Sequence, residues 1–113
     1  MTFTVSVTEA GGVRLAIAGE LDVVSVVDLR GEVEKLLARA PRRVEIDLSA
    51  LRMLDSSGVG ALVSLYKRVS SQGGTVVIVG LRDQPLAIFR LLRLDRVMAG
   101  ADFAGQKTST SDR

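Results

Sequence analysis

Residues 46–62 read IDLSALRMLDSSGVGAL and decide the fold of this chain, because a strand, a polar turn and a helix follow one another there. Around the start of this stretch apolar and charged residues alternate, so Val44, Ile46 and Leu48 are predicted to face a core. After the turn, apolar residues recur every three or four positions, the period of a helix with one buried face. That predicted face consists of Val59, Leu62, Val63, Tyr66 and Val69, and it leaves Ser64, Lys67, Arg68 and Ser71 to solvent.

Three oxygen-bearing side chains, those of Asp55, Ser56 and Ser57, stand where this helix is predicted to begin. The first backbone N–H groups of a helix lack partners within it, and such side chains are favoured there as caps. The spacing by itself therefore favours an ordinary helix cap. The functional alternative is that one serine accepts a phosphoryl group, whose charge of about −1.5 to −2 meets unpaired N–H donors and the positive end of the helix dipole.

Two motifs in this chain resemble those of the STAS family, the domain of sulfate transporters and anti-sigma factor antagonists. The first is GELD at residues 19–22, and the second is DLS at residues 47–49 followed by LDSSGVG at residues 54–60. Both occur at the separation that the family shows, and the likeness extends over residues 3–102. The resemblance implies the α/β class, with a small mixed β-sheet and helices packed largely on one side.

The same resemblance implies a regulatory function, that of an anti-sigma factor antagonist. In the unphosphorylated form, such a protein binds an anti-sigma factor that is often also a serine kinase using ATP, and a sigma factor is released. Phosphorylation breaks this association, and a metal-dependent phosphatase of the PP2C type restores it. The family's phosphate acceptor directly follows the motif aspartate and corresponds to Ser56 here. The implied partner-binding residues are Asp22, Asp55, Ser57 and Gly58.

The segment after the first motif leaves two questions open. Asp22 is either a charge that contacts the kinase or orients the serine, or a turn or cap aspartate ahead of the first helix. Val23 and Val24 are either buried or form an exposed apolar patch for a partner. The sequence does not decide either question.

A second function, from a different class, stays open beside the switch. The chain also resembles STAS proteins that act as non-switching scaffolds or as accessory subunits of lipid-transport or stress-signalling complexes. The acceptor serine favours the switch, and the absence of an extra domain argues against a stress-signalling scaffold. Phosphorylation by a cognate kinase would separate the two.

Composition narrows the remaining classes. The 113 residues suffice for one domain, and 47% hydrophobic with 25% charged residues is ordinary for a soluble globular protein. No apolar run approaches the ~18 residues of a membrane span, and the amino terminus lacks the features of a signal peptide, so a cytoplasmic location is expected. The 15 basic and 13 acidic residues are interspersed along the chain, which predicts no direct contact with nucleic acid.

The chain contains no cysteine and no histidine, which excludes disulfides, thiolate nucleophiles, the usual zinc clusters and imidazole acid–base chemistry. Gly58 and Gly60 form a lone GxG without the further glycine of a dinucleotide-binding motif. Asp47 and Asp55 could be imagined as a catalytic pair, but nothing in the sequence brings them together. We therefore expect a monomeric protein that is not an enzyme and that needs no cofactor or metal.

Two strands and a helix are predicted ahead of residue 43. A strand over residues 2–8 turns at residues 11–12 and pairs with a strand through Ile17. Ser25 then caps a first helix, which Pro41 follows closely. The buried face predicted for that helix consists of Val26, Leu29, Val33, Leu36, Leu37 and Ala40.

The second half of the chain alternates strands and helices, which predicts parallel strands joined through helices with an antiparallel strand at one edge. Residues 75–79 are continuously apolar and predict a central strand covered on both faces. A third helix is predicted over residues 83–94 and a short edge segment over residues 97–102, with Leu86, Phe89 and Leu92 on the buried side of the helix. One domain is thereby predicted over residues 1–103, with a disordered polar tail at residues 104–113.

Overall fold

The computed structural model describes residues 2–8 and 11–103. The predicted tail at residues 104–113 lies outside the described residues, and the domain boundary at residue 103 stays a prediction. Within the described ranges, no helix combines the length and the apolar character that crossing a membrane requires. In chain order the elements are β1 (Thr2–Val7), β2 (Val13–Leu21), α1 (Val26–Leu37), β3 (Arg43–Asp47), β4 (Leu51–Leu54), α2 (Ser56–Ser71), β5 (Thr75–Val79), α3 (Asp83–Leu91), α4 (Leu94–Val97) and β6 (Asp102–Phe103).

The strands form one mixed sheet in the order β1-β2-β3-β5-β6, and β4 pairs with the second half of β2. β1 runs antiparallel to β2, whereas the other pairs are parallel. α1 joins β2 to β3 and α2 joins β4 to β5, because parallel strands need a crossover connection. The predicted hairpin, the antiparallel edge strand and the helical crossovers are confirmed.

The helices cover one face of the sheet, as the burial of alternate residues indicates. Ile46 of β3 is fully buried and aligns with Leu15 of β2, which is also fully buried. On the opposite face, the partly exposed Arg14 donates hydrogen bonds to the carboxylates of Glu45 and Asp47. The predicted alternation along β3 is confirmed, and with it the packing of helices largely on one side.

β5 is buried on both faces, as its apolar run predicts. Val76, Val77 and Ile78 are exposed by only 1%, 3% and 0%. β5 pairs with β3 on one side and with the two-residue β6 on the other. The edge segment predicted over residues 97–102 is therefore mostly not strand, because pairing begins only at its last residue.

α1 buries every predicted apolar position except Ala40. The helix ends at Leu37, and Ala40 is exposed with a φ of +46°. The residue before a proline is disfavoured in the helical conformation, and Pro41 follows Ala40 directly. The prediction for Ala40 is therefore wrong, and the buried residues are Val26, Leu29, Val33, Leu36 and Leu37.

The buried face of α2 is rotated from the predicted one. Steps of three and four residues fit two adjacent stripes on this helix, so periodicity did not select between them. In the structure the central stripe includes Leu65, which the prediction omitted, whereas Val59, Val63 and Tyr66 are only partly buried at its edge. The buried stripe consists of Gly58, Leu62, Leu65 and Val69.

The third predicted helix is broken into α3 and α4. Arg93 lies between them in the left-handed conformation, with a φ of +53°. The break turns Leu94 into the core and leaves Leu92 48% exposed, so the prediction that Leu92 is buried is wrong. Phe89 is buried and Leu86 is partly buried, in agreement with the prediction.

β4 has no counterpart in the sequence prediction, which placed only a polar turn before α2. Its four residues are too few to establish an alternating pattern. Its pairing partner is the end of β2, which lies some thirty residues earlier in the chain, with Gly19 aligned to Leu51 and Leu21 to Leu54. Only this long-range pairing makes the segment a strand.

Candidate functional site

The ends of two neighbouring parallel strands form the candidate site. Leu21 closes β2 and aligns with Leu54, the last residue of β4. The backbone N–H of Asp55 donates a 3.2 Å hydrogen bond to the carbonyl oxygen of Leu21 and ties the two ends together. Asp22 and Asp55 therefore leave adjacent strands, whose backbones in a sheet lie about 5 Å apart. The two motifs that are separate in the sequence meet at this edge.

Asp55 caps α2, as the sequence predicts. Its backbone is extended (φ −107°, ψ −175°), and its Oδ1 accepts a 3.0 Å hydrogen bond from the N–H of Gly58. Ser56 is the first residue of the helix and is exposed, and Ser57 beside it is half-buried. Within the described ranges the hydroxyl of Ser56 makes no hydrogen bond. This hydroxyl is therefore accessible to another protein.

Gly58 lets α2 begin in contact with both strand ends. A Cβ atom at this position would lie 2.6 Å from Cδ1 of Leu54 and 2.7 Å from the carbonyl oxygen of Leu21. The carbonyl oxygen belongs to the backbone of β2 and cannot yield without disturbing the strand. A Cβ atom on Gly60, two residues further along the same helix, would meet open space.

Asp22 holds the turn between β2 and α1. Its Oδ1 accepts hydrogen bonds from the N–H groups of Val24 (3.1 Å) and Ser25 (2.9 Å). The hydrogen bond from the Ser25 N–H is the main cause that lowers the pKa of Asp22 below its ordinary value of 3.8. The turn role of Asp22 is therefore part of the fold. Within the described residues, the hydrogen bonds of this carboxylate all end on Oδ1, so Oδ2 takes no part in the turn.

Ser25 precedes α1 as predicted, but its hydroxyl does not cap that helix. The hydroxyl donates to the carbonyl oxygen of Glu20 (2.8 Å) and accepts from the N–H of Asp22 (2.9 Å). The Ser25 backbone is already helical (φ −74°, ψ −20°), whereas a capping residue has an extended backbone that turns its oxygen toward the helix. The predicted side-chain cap is wrong, and the hydroxyl instead fastens the turn before α1.

Three valines at the start of α1 form an exposed surface, which we call the valine patch. Val23, Val24 and Val27 are 64%, 77% and 63% exposed. Val23 and Val27 line a groove of about 600 Å³ between α1 and α2, and Ser56 and Ser57 line the same groove. The question that the sequence left open for Val23 and Val24 is therefore answered in favour of exposure. Val27 belongs to the patch although the sequence did not single it out.

An ion pair bridges α1 and α2 further along this groove. Arg68 of α2 donates two hydrogen bonds to Glu34 of α1, at 2.5 and 3.1 Å, and these lower the pKa of Glu34. The two side chains are 47% and 63% exposed, so the pair contributes little to stability. The groove thus changes from apolar beside Ser56 to charged further along the helices.

Asp47 and Asp55 have separate structural roles. Asp47 accepts hydrogen bonds from Arg14 and from the N–H of Ser49 (2.9 Å) at the end of β3, whereas Asp55 caps α2. Within the part of the chain that the structure describes, acidic side chains do not gather in groups of three or more that could hold a metal ion. The site therefore offers an accessible hydroxyl beside the carboxylates of Asp22 and Asp55.

Comparison with known proteins gives the family. The family model described as "Mlab, STAS domain" matches residues 5–100. The chain belongs to the STAS domain family. The family and fold class predicted from the two motifs are therefore confirmed.

This STAS domain is similar to several anti-sigma factor antagonists. It is 33% identical over 88 residues to the anti-sigma-B factor antagonist of Bacillus subtilis, covering 76% of this chain and 78% of that protein. It is 28% identical over 101 residues to the anti-sigma-F factor antagonist RsfB of Mycobacterium tuberculosis, covering 87% and 83%. The crystal structure of an anti-sigma factor antagonist from Mycobacterium paratuberculosis matches with a TM-score of 0.75 at 26% identity, over 84% of this chain and 80% of the other.

Gly58→Ala should lower the free energy of unfolding by about 1–3 kcal/mol, because the added methyl group presses on the Leu21 carbonyl oxygen. Gly60→Ala is the matched control in the same helix, and it should raise the free energy of unfolding by up to about 1 kcal/mol, since alanine favours helix and meets no neighbour. Urea unfolding of both variants measures the difference. Equal effects of the two substitutions would contradict the close packing at Gly58.

Asp22→Asn should remove a pH-dependent part of the stability. Because the folded state lowers the pKa of Asp22, the ionised carboxylate stabilises the fold above the ordinary pKa of 3.8, and this contribution is lost as the pH falls through the folded value. The difference in melting temperature between wild type and variant should therefore be largest near neutral pH and shrink below about pH 4. A difference that stays constant over this range would show that ionisation of Asp22 does not stabilise the turn.

Proposed function

We propose that this STAS domain is an anti-sigma factor antagonist that is switched by phosphorylation of Ser56. Its unphosphorylated form binds an anti-sigma factor with serine kinase activity, and a sigma factor is released. Phosphorylation by that kinase ends the association, and a PP2C-type phosphatase restores it. The observation that carries the proposal is the exposed Ser56 hydroxyl at the start of α2, directly after the motif aspartate, in a chain whose relatives are antagonists.

The charges around Ser56 support a switch that works by electrostatics. A phosphoryl group adds about −1.5 to −2 charges to a site that already carries the carboxylates of Asp22 and Asp55. A partner surface that fits the neutral hydroxyl would then face concentrated negative charge and a group that is costly to desolvate. A tenfold loss of affinity needs only about 1.4 kcal/mol, which a single added phosphate readily supplies.

The position of Ser56 supports a switch that leaves the fold intact. Asp55 Oδ1 already accepts from the N–H of Gly58, whereas the N–H groups of Ser56 and Ser57 at the helix start have no hydrogen-bond partner among residues 2–8 and 11–103 and can meet an anion. The positive end of the α2 dipole also favours negative charge there. Phosphorylation would therefore change the surface that a partner meets rather than unfold the helix.

The partner surface that we propose combines the acceptor with the valine patch. Asp22 and Asp55 supply charge at the strand ends, and Ser57 lines the groove beside the acceptor. Gly58 is buried, so we assign it to placing the first turn of α2 rather than to touching the partner. An exposed apolar surface in the same groove as a modifiable hydroxyl suits a binding site for protein.

The sequence also supports expectations about the chemistry, oligomeric state and location of the protein. The protein acts as a regulatory binding protein and not as an enzyme, without a cofactor of its own. It is expected to be monomeric in the cytoplasm, with no direct contact with nucleic acid or membrane. The alternative, a non-switching scaffold or accessory subunit, shares the fold but needs no phosphate acceptor.

Ser56→Ala should keep the fold, take up no phosphate and hold the anti-sigma factor constitutively, because the neutral surface is retained. Ser56→Asp should bind at least about tenfold more weakly, although one carboxylate carries less charge than a phosphate. Phosphate uptake is measured by mass spectrometry after incubation with the cognate kinase and ATP. Partner binding is measured by titration with the anti-sigma factor. Phosphate on Ser57 or on residues 108–111 would overturn the assignment to Ser56. Equal binding of modified and unmodified protein would favour the scaffold alternative.

Val24→Ser should weaken binding of the anti-sigma factor by about fivefold or more, because it removes apolar surface that the complex would bury. Val24 is 77% exposed in the free protein, so the free energy of unfolding should change by less than about 0.5 kcal/mol. Val7→Ser is the matched control, since Val7 is 66% exposed but aligns with Val13 at the opposite end of β2 from the site. Equal loss of affinity in both variants would contradict a role for the valine patch.

A further inference from the structure

Gln84 contacts the backbone immediately ahead of the site, from the side that faces away from β2. Its Oε1 accepts a 2.9 Å hydrogen bond from the N–H of Leu54, and its Nε2 donates a 3.0 Å hydrogen bond to the carbonyl oxygen of the same residue. In an antiparallel sheet, a residue of the neighbouring strand accepts from the N–H of its partner and donates to the carbonyl oxygen of the same partner. The carboxamide of Gln84 thus takes the place of a strand beside Leu54.

The edge of β4 explains why this contact is needed. β4 pairs with β2 on one side, and within the described residues no strand pairs with its other side. The backbone N–H and C=O groups along such an edge otherwise bond to water or to another chain. Gln84 satisfies both groups of Leu54 at once, at the last residue before the Asp55 cap.

The peptide group between Leu54 and Asp55 is held from two sides as a result. Its carbonyl oxygen accepts from Gln84 Nε2, and its N–H, which belongs to Asp55, donates to the carbonyl oxygen of Leu21. This peptide group sets the direction in which the chain leaves β4 and enters α2. The backbone that leads to Ser56 is therefore held by a contact from α3, thirty residues later in the chain.

Gln84 lies in the first turn of α3, and contacts at both ends of this helix hold it in place. Phe89 is only 4% exposed, and its ring meets that of Phe103 edge-on, with centroids 6.1 Å apart. At the start of α3, Nε of Arg82 donates a 3.0 Å hydrogen bond to the carbonyl oxygen of Ser49 in the turn before β4. The start of α3 therefore contacts both ends of the segment that leads into the site.

We propose that Gln84 is a positioning residue for the switch, because it fixes the Leu54–Asp55 peptide group and so presents Ser56 to the kinase. The inference rests on the proposed function for its readout, but the contact itself does not depend on it. Gln84 does not touch the acceptor hydroxyl, so its effect passes through the backbone alone. Misplacing a reacting group by about 1 Å can cost a large factor in rate even when binding is unchanged.

Gln84→Leu removes both hydrogen bonds at similar side-chain size. Phosphorylation of Ser56 by the cognate kinase should then lose about tenfold in kcat with little change in KM, since the substitution does not alter the valine patch or the turn at Asp22. Amide hydrogen exchange, followed by NMR, should show faster exchange at Leu54 by about tenfold, with Ile46 and Ile78 in the central strands unchanged. A loss caused by general destabilisation would instead raise exchange at all three positions.

Gln84→Glu supplies a rescue that a purely structural role would not show. The protonated carboxyl donates to the Leu54 carbonyl oxygen and accepts from its N–H as the amide does, whereas the ionised form can only accept. Ionisation of the introduced carboxyl therefore removes the hydrogen bond to the Leu54 carbonyl oxygen and keeps the one from the Leu54 N–H. The rate of phosphorylation relative to wild type at the same pH should fall as this carboxyl ionises, whereas the Leu54 amide should stay protected. Arg82 and Asp83 precede residue 84 in the chain, and Arg52 and Asp55 flank Leu54. Any effect of these four charged groups on the pH dependence is present in wild type as well, so comparison with wild type at each pH removes it.

Gln72→Glu is the matched control, because Gln72 is an exposed glutamine whose Nε2 makes one long hydrogen bond of 3.4 Å to Leu37 at the far end of α2. It should change neither the Leu54 amide nor the phosphorylation rate. Wild-type protein that takes up no phosphate on Ser56 would overturn the proposed function. Phosphorylated wild type together with an unchanged kcat in Gln84→Leu would overturn the role of Gln84 alone.

Discussion

The parallel pairing of β4 with the end of β2 is the constraint on which the site depends. It aligns Leu21 with Leu54, so the chain leaves two adjacent strands at the same level and continues as Asp22 and Asp55. The hydrogen bond from the Asp55 N–H to the Leu21 carbonyl oxygen closes this junction, and α2 begins directly against it. Glycine at position 58 is the packing consequence, since any side chain there would collide with the strand that defines the junction.

Charge and apolar surface lie side by side at this junction. The two carboxylates are each held by N–H donors of their own segment, Asp22 by the turn before α1 and Asp55 by the first turn of α2. Both carboxylates are therefore held in place by contacts that do not involve the Ser56 hydroxyl. Beside them the valine patch offers a surface that gains from burial against a partner. A neutral hydroxyl between these surfaces permits association, whereas a phosphate would add charge where charge is already concentrated.

Apart from the Asp55 carboxylate that caps α2, the groups that hold the backbone ahead of Ser56 are uncharged, namely the carboxamide of Gln84 and the backbone carbonyl oxygen of Leu21. None of them gains or loses a proton or an ion pair when a serine is modified. This separation allows the surface charge of the site to change while the backbone beneath it keeps its geometry. It also makes α3, which carries no part of the proposed partner surface, a support for that surface.

The sequence by itself determined the elements whose pattern is local: the alternation along β3, the buried run of β5, the hairpin at β1 and the Asp55 cap of α2. Each depends on residues within a few positions of one another, and the two motifs added the family. The burial of Leu65 was not determined, because periodicity does not distinguish two adjacent stripes on α2. The ends of α1 and α3 were not determined either, because an apolar period does not indicate where a single residue such as Ala40 or Arg93 takes the left-handed conformation. β4 and the Gln84 contact were decided only by the tertiary structure, since both join segments about thirty residues apart. Hydrogen bonds between distant backbone and side-chain groups leave no periodic trace in the sequence, and here they fix the position of the site.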